Sequence, residues 1–197
     1  MPQNVAHFLR SSFLRPRIVA RHLIDLRFSN DIIAQGAVLA AVLSALTWAI
    51  LPLVFARYDL ELPVNNTLPL SVDLAFSFGA IFLTSHIVML LARSTGVPVN
   101  FRASVTIYIW FGILESALML CLAAFLYALG PLSAILFIPA AIWGIWALGS
   151  YWSELLQHPG FFMGLALIII ASLINSAILL AVIEVLNLPI EELPTNV

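Results

Sequence analysis

The chain has 197 residues, of which 62% are hydrophobic and only 9% charged, with a formal net charge of −2. Soluble domains carry roughly 25% charged residues, so a soluble fold of this length could not clothe its surface. Long apolar stretches place the chain among all-α, polytopic membrane proteins instead, and every basic residue in it is Arg.

Residues 1–31 read as an Arg-rich, cytoplasmic amphipathic arm holding Arg10, Arg15, Arg17, Arg21 and Arg27. Pro16 suits a first helical position, where the N–H it lacks would be an orphan anyway. Val19, Leu23 and Leu26 recur at i, i+4 and i+7, while Arg17, Arg21 and Asp25 run along another face. Such a helix lies in the headgroup region. Each basic group there is worth about 1 kcal/mol of attraction to anionic lipid. A secretory signal fits poorly, because its apolar region is roughly 7–15 residues long and the stretch that follows here is of span length. Cleavage of such a signal would also discard the main determinant of topology, whereas a mitochondrial transit peptide, Arg-rich and acid-poor, stays open as a minor alternative. A nucleic-acid arm would need free reach, and this one meets the membrane at once. The expected partner is therefore anionic headgroups, with a cytosolic protein as the sharper alternative and no nucleic acid.

Five segments then meet the requirement of about 20 mostly apolar residues for a bilayer crossing. They are 32–55, 70–92, 104–129, 132–150 and 161–186, within a membrane domain of residues 32–186. Ser94–Asn100 separates the second span from the third, and Gly130–Pro131 makes a tight turn into the fourth. Pro139 predicts a kink in the fourth span, and Pro159 marks the start of the fifth. Residues 187–197 form a short acidic outer tail.

Five crossings put the termini on opposite sides. The arm, Arg93 and Arg102 share one side and carry seven Arg. The other side has Arg57 alone, with Asp59, Glu61, Glu191 and Glu192. The positive-inside rule then predicts a cytoplasmic N-terminus and an outer C-terminus.

Ionisable and polar residues inside spans are the place to look for function. His86 lies in the second span, Glu115 near the middle of the third, and Asn175 past the middle of the fifth, flanked by Ser172 and Ser176. A charge at mid-bilayer costs about 2.5–3.5 kcal/mol even on lenient scales. Glu115 and His86 differ in depth by one to two helical turns, so touching helices would make a proton-sensitive pair. The plainer reading is that these residues hold helices together, at about 0.6–2 kcal/mol each.

Small residues mark expected contact faces: Ala37, Ala41, Ala45 and Ala49 beside Gly36, Ala40 and Ser44; Ala75 with Gly79; Gly160 with Gly164. Cys121 reads as a small apolar packing residue. Trp152 and Tyr151 fit a cytoplasmic interface, and the other Trp residues read as packing or lipid-facing rings. Glu154 and His158 are four apart, too little for a metal site. Asn65-Asn66-Thr67 matches a glycosylation sequon. No GxSxG, P-loop, GxGxxG or HExxH occurs, so neither an enzyme nor a cofactor is expected.

The layout of a basic leading segment, five closely spaced spans and a tight third–fourth hairpin resembles the Yip1 family. "NFRASVTIYIWFGILESALML" (Asn100–Leu120) is similar to the start of that family's third helix. "WALGSYWSELLQHPGFFMGLALIII" (Trp146–Ile170) is similar to its fourth loop and fifth helix. The resemblance covers residues 15–186 and implies the five-span fold with N-in, C-out topology. The Rab GTPase binding of the eukaryotic branch does not transfer, because its long cytosolic leading region and Asp-Leu-Tyr-Gly-Pro motif are not found here. The Arg-only, Ala- and Leu-heavy usage suits a bacterial member in the inner membrane.

The resulting expectation is a non-catalytic scaffold, membrane-organising or accessory protein that binds other membrane components or itself. A small transporter or proton-linked channel using His86, Glu115 and Asn175 is the alternative. A third is an accessory subunit of a larger membrane complex.

Overall fold

Helix boundaries in the computed structural model follow local chemistry; it describes residues 5–58, 66–67, 70–158, 160–185 and 191–192. Two short helices come first: α1 (Val5–Leu14) and α2 (Pro16–Asp25), with Pro16 at the first position of α2. Ser29 caps α3 (Asn30–Ala56) by accepting from the Ile32 amide at 3.4 Å. α4 spans Leu70–Ser94. Asn100 caps α5 (Phe101–Leu129) through the Arg102 amide at 2.9 Å. Gly130, at φ 81°, supplies the left-handed residue that ends α5. A 3₁₀ turn (Pro131–Leu136) then leads into α6 (Phe137–Leu155), and α7 covers Phe161–Val185.

The protein is a multi-pass helical bundle. Among the described residues, five helical segments are long and apolar enough to cross a membrane: 30–56, 70–94, 101–129, 131–155 and 161–185. These match the five expected spans to within a few residues at each end. Asn66–Thr67 pairs antiparallel with Glu191–Glu192, so the α3–α4 connection and the tail meet at one end. The arm lies at the other end, as an odd number of crossings requires. Asn65, Asp59, Glu61 and Pro159 fall outside the described residues.

Proline behaves differently from the sequence expectation. Pro139 sits in the first turn of α6, where a missing N–H costs little, and the irregularity of the fourth span lies before it in the 3₁₀ turn. The interior proline is Pro52, in the last third of α3.

Between apolar helices in lipid, close van der Waals contact replaces the hydrophobic drive. α3 obeys this with Ala37, Ala41 and Ala45 buried, and a Cβ at Gly36 would press on Ile109 of α5. Ala49, one turn on, is exposed. Gly164 of α7 lies so near α6 that a Cβ would collide with the Ser153 amide nitrogen and the Gly149 carbonyl. The Ala75–Gly79 pair makes no such contact; both residues are exposed and the space beside Gly79 is open. Cys121 likewise faces outward.

The largest core cluster sits at the arm end. Val19, Ala20 and Leu23 of α2 bury their side chains with Val88 and Ala92 of α4, Ile107 of α5, and Tyr151 and Trp152 of α6. Tyr151 and Trp152 are therefore fully buried beneath the arm rather than forming an interfacial belt. Leu26, the third member of the expected apolar stripe, is exposed. Smaller clusters join α3, α4 and α5 around Ala37, Ile81 and Ile109, and tie the far end together through Leu51, Val54 and Leu126.

Candidate functional site

The arm is divided at Arg15 and packs against α5 and α6. Ser12, fully buried, donates to Phe8 O at 3.0 Å and receives the Trp110 indole Nε1 at 3.3 Å. Tyr151 Oη donates to Ser12 O at 3.4 Å, and Trp143 Nε1 donates to Phe13 O at 3.0 Å. Trp110 lies nine residues into α5 and Trp143 twelve residues from the end of α6, which is about 13 Å and 18 Å along the helices. The last turn of α1 is thus held against α5 and α6 by three aromatic donors, with Ser12 buried and Leu14 exposed.

The same aromatics border a cleft. A cavity of about 410 Å³ opens between α5, α6 and α7, and Glu115 lines it. Glu115 is the middle residue of the 29-residue α5, about 21 Å from either end. Around it stand Tyr108, Phe111, Leu118 and Met119 of α5, Trp143, Gly144 and Trp152 of α6, and Ser172 of α7. The α5 members recur at helical spacing along one face, which positions the carboxyl in an apolar stripe.

The polar inventory of the cleft is incomplete. Glu115 is exposed toward the opening and makes no hydrogen bond among the described residues. Trp152 lines the cleft and is fully buried, yet its indole Nε1 has no hydrogen-bond partner among the described residues. Buried polar groups are nearly always satisfied, so the orphan indole is an exception in this core; its ring packs by Tyr108, about two turns before Glu115 on α5.

Other expected residues lie elsewhere. His86 is exposed on α4 and turns its ring to Phe101 at 6.1 Å, so the pair with Glu115 is not made. Asn175 is buried in α7 with Oδ1 unpartnered, outside the cleft lining. Ser176 is exposed one turn beyond Ser172. Glu154 holds Arg21 at 2.8 Å, and His158 Nδ1 accepts from the Gly160 amide at 2.9 Å. The described residues contain no cluster of three potential metal ligands.

The Arg residues gather on the arm and on the helix ends beside it. Arg102 reaches Asn30 at 2.8 Å, Arg21 pairs with Glu154, Arg17 is half-buried, and Arg10, Arg15, Arg27 and Arg93 are exposed. Arg57, at the opposite end, lies 4.3 Å from the Tyr127 ring centroid.

Single-residue reading missed Tyr108, Trp143 and Trp152. The signal was present: Tyr108, Phe111, Gly112, Glu115 and Met119 step at i, i+3, i+4, i+7 and i+11. No family model matches the chain, and neither does any curated protein or solved structure.

Proposed function

We propose that this is a non-catalytic, Yip1-type integral membrane protein that binds other membrane components, with the cleft at Glu115 as the binding surface. A carboxyl halfway along a 29-residue apolar helix, without a hydrogen-bond partner among the described residues, is the observation that supports this reading. Desolvating it at mid-bilayer is costly, and a ligand that meets it would recover part of that cost. The seven Arg at the arm end favour placing that end in the cytoplasm, in a bacterial inner membrane.

Purification in mild detergent tests the binding role. Expected is a stoichiometric lipid or membrane protein retained by the wild type and lost with Glu115→Leu. A lone species showing proton-driven flux in liposomes, abolished by Glu115→Gln, would replace this reading with a transporter. Protease treatment of sealed vesicles tagged at both ends tests the orientation.

A further inference from the structure

We propose that a groove between α3 and α5 at the arm end binds one anionic phospholipid, its phosphate on the Arg102 guanidinium and the start of its acyl chain on the apolar walls below. The groove encloses about 260 Å³, room for roughly nine groups of water size, so it takes part of one lipid. Ile33 and Ala34 of α3, Phe82 of α4 and Val105 of α5 form its walls, with Asn30 and Arg102 at the mouth. It shares no lining residue with the Glu115 cleft, and the inference does not depend on binding there.

Depth selects a headgroup. α5 has 29 residues, about 42 Å end to end, against a hydrocarbon core of about 30 Å. With α5 centred on the bilayer, about 6 Å of helix stands beyond the core at each end. Arg102 is the second residue of α5 and Asn30 the first of α3, so both lie at headgroup level. Ile33, Ala34 and Val105 follow three to four residues further in, about 5–6 Å deeper, where acyl chains begin.

Charge selects the kind of headgroup. Arg102 Nη2 donates to Asn30 Oδ1 at 2.8 Å, which fixes the guanidinium between the two helices. That bond uses one of five N–H donors, and the others have no partner among the described residues. A phosphodiester offers two oxygens to such a fork. No carboxylate lines the groove; Asp31, the next residue of α3, lies about 100° round the helix from Asn30. The ammonium of a zwitterionic lipid therefore meets no counter-ion there, and a headgroup of net negative charge is favoured. Basic pockets between spans bind anionic headgroups in this way. Free phosphate would satisfy Arg102 but leave the walls bare, so the occupant is a lipid.

The test uses the full chain in phosphatidylcholine nanodiscs, with phosphatidylglycerol carrying a diazirine near the start of one chain, and a matched phosphatidylcholine probe. Expected is labelling of the groove residues, about fivefold stronger for the glycerol lipid, the attraction of one basic group. Arg102→Gln removes that preference and leaves phosphatidylcholine labelling unchanged, whereas Arg102→Lys keeps most of it. Ala34→Phe, at an exposed position of the wall, fills the groove and lowers labelling by both probes. Arg93→Gln, exposed at the same end but outside the lining, changes nothing. Equal labelling by the two probes, a preference that survives Arg102→Gln or falls as far with Arg93→Gln, or label spread evenly to arm-end residues such as Leu90 and Phe162 would overturn the assignment. So would an Arg102→Lys variant that loses as much as Arg102→Gln, because charge would then not be the selector. Displacement of the lipid by chain-free glycerol phosphate would mark a free-anion site and overturn it as well.

Discussion

The indole Nε1 of Trp143 donates to the backbone carbonyl of Phe13 across 3.0 Å, joining positions 130 apart in the chain. Trp143 also forms a wall of the Glu115 cleft. One ring therefore connects the Arg-rich arm to the polar centre of the bundle. Phe111, on the neighbouring helix, repeats the link: it lines the cleft and contacts Tyr151 at 6.2 Å, whose hydroxyl reaches Ser12 O.

Trp143→Phe keeps most of the ring and removes the donor. The Phe13 carbonyl then loses its partner, at a cost of about 1–3 kcal/mol if no water replaces it. Amide exchange through α1 and tryptic cleavage after Arg10 should rise about tenfold, with thermal stability of the bundle nearly unchanged. Lower thermal stability with no change in arm cleavage would show that the bond serves the bundle and not the arm.

Gly164→Ala should destabilise the α6–α7 pair by about 1–3 kcal/mol, the usual range for overpacking, because the added methyl meets the backbone of Ser153 and Gly149. Gly79→Ala is the internal control. Open space surrounds it, and replacing a mid-helix glycine should add about 0.5–1 kcal/mol. Thermal unfolding in one detergent, measured for both variants, checks the opposite signs.

Gln157 turns the chain out of α6 with φ at 52°. A left-handed non-glycine residue costs about 1–2 kcal/mol, partly offset in Gln157→Gly by the greater freedom of an unfolded glycine. The net expectation is a gain of up to about 1 kcal/mol in thermal stability, with Glu115-dependent binding unaffected.

Arg21→Ala should cost less than about 1 kcal/mol, despite the short 2.8 Å contact with Glu154. The Arg21 side chain is 73% exposed, so solvent screens the pair. The small loss should shrink further in high salt. A loss of several kcal/mol would show that the arm is held by charge and not by Val19, Ala20 and Leu23.

The spans were legible because length and apolarity alone meet the bilayer requirement; the ends of α3, α5 and α7 lie within three residues of the expected limits. The capping chemistry of Pro16 and the close approach at Gly164 were legible too, since each depends on a residue's own geometry. The arm was not. Its stripe through Val19 and Leu23 announces an apolar face without saying whether lipid or protein covers it, and the structure covers it with α5 and α6. His86 and Glu115 were expected one to two turns apart in depth, but His86 packs by Phe101, fourteen residues or about 21 Å before Glu115 along α5.

Residue chemistry counted along one dimension determines that this chain crosses an apolar layer five times, because helix length and the cost of dehydrating charge are local quantities. Which carboxyl faces a cleft, which indole is left without an acceptor, and that α1 is held against the bundle through Ser12 and Phe13 are decided only in three dimensions. Those outcomes depend on the rotation and spacing of helices distant in the chain, and neither quantity belongs to any single segment.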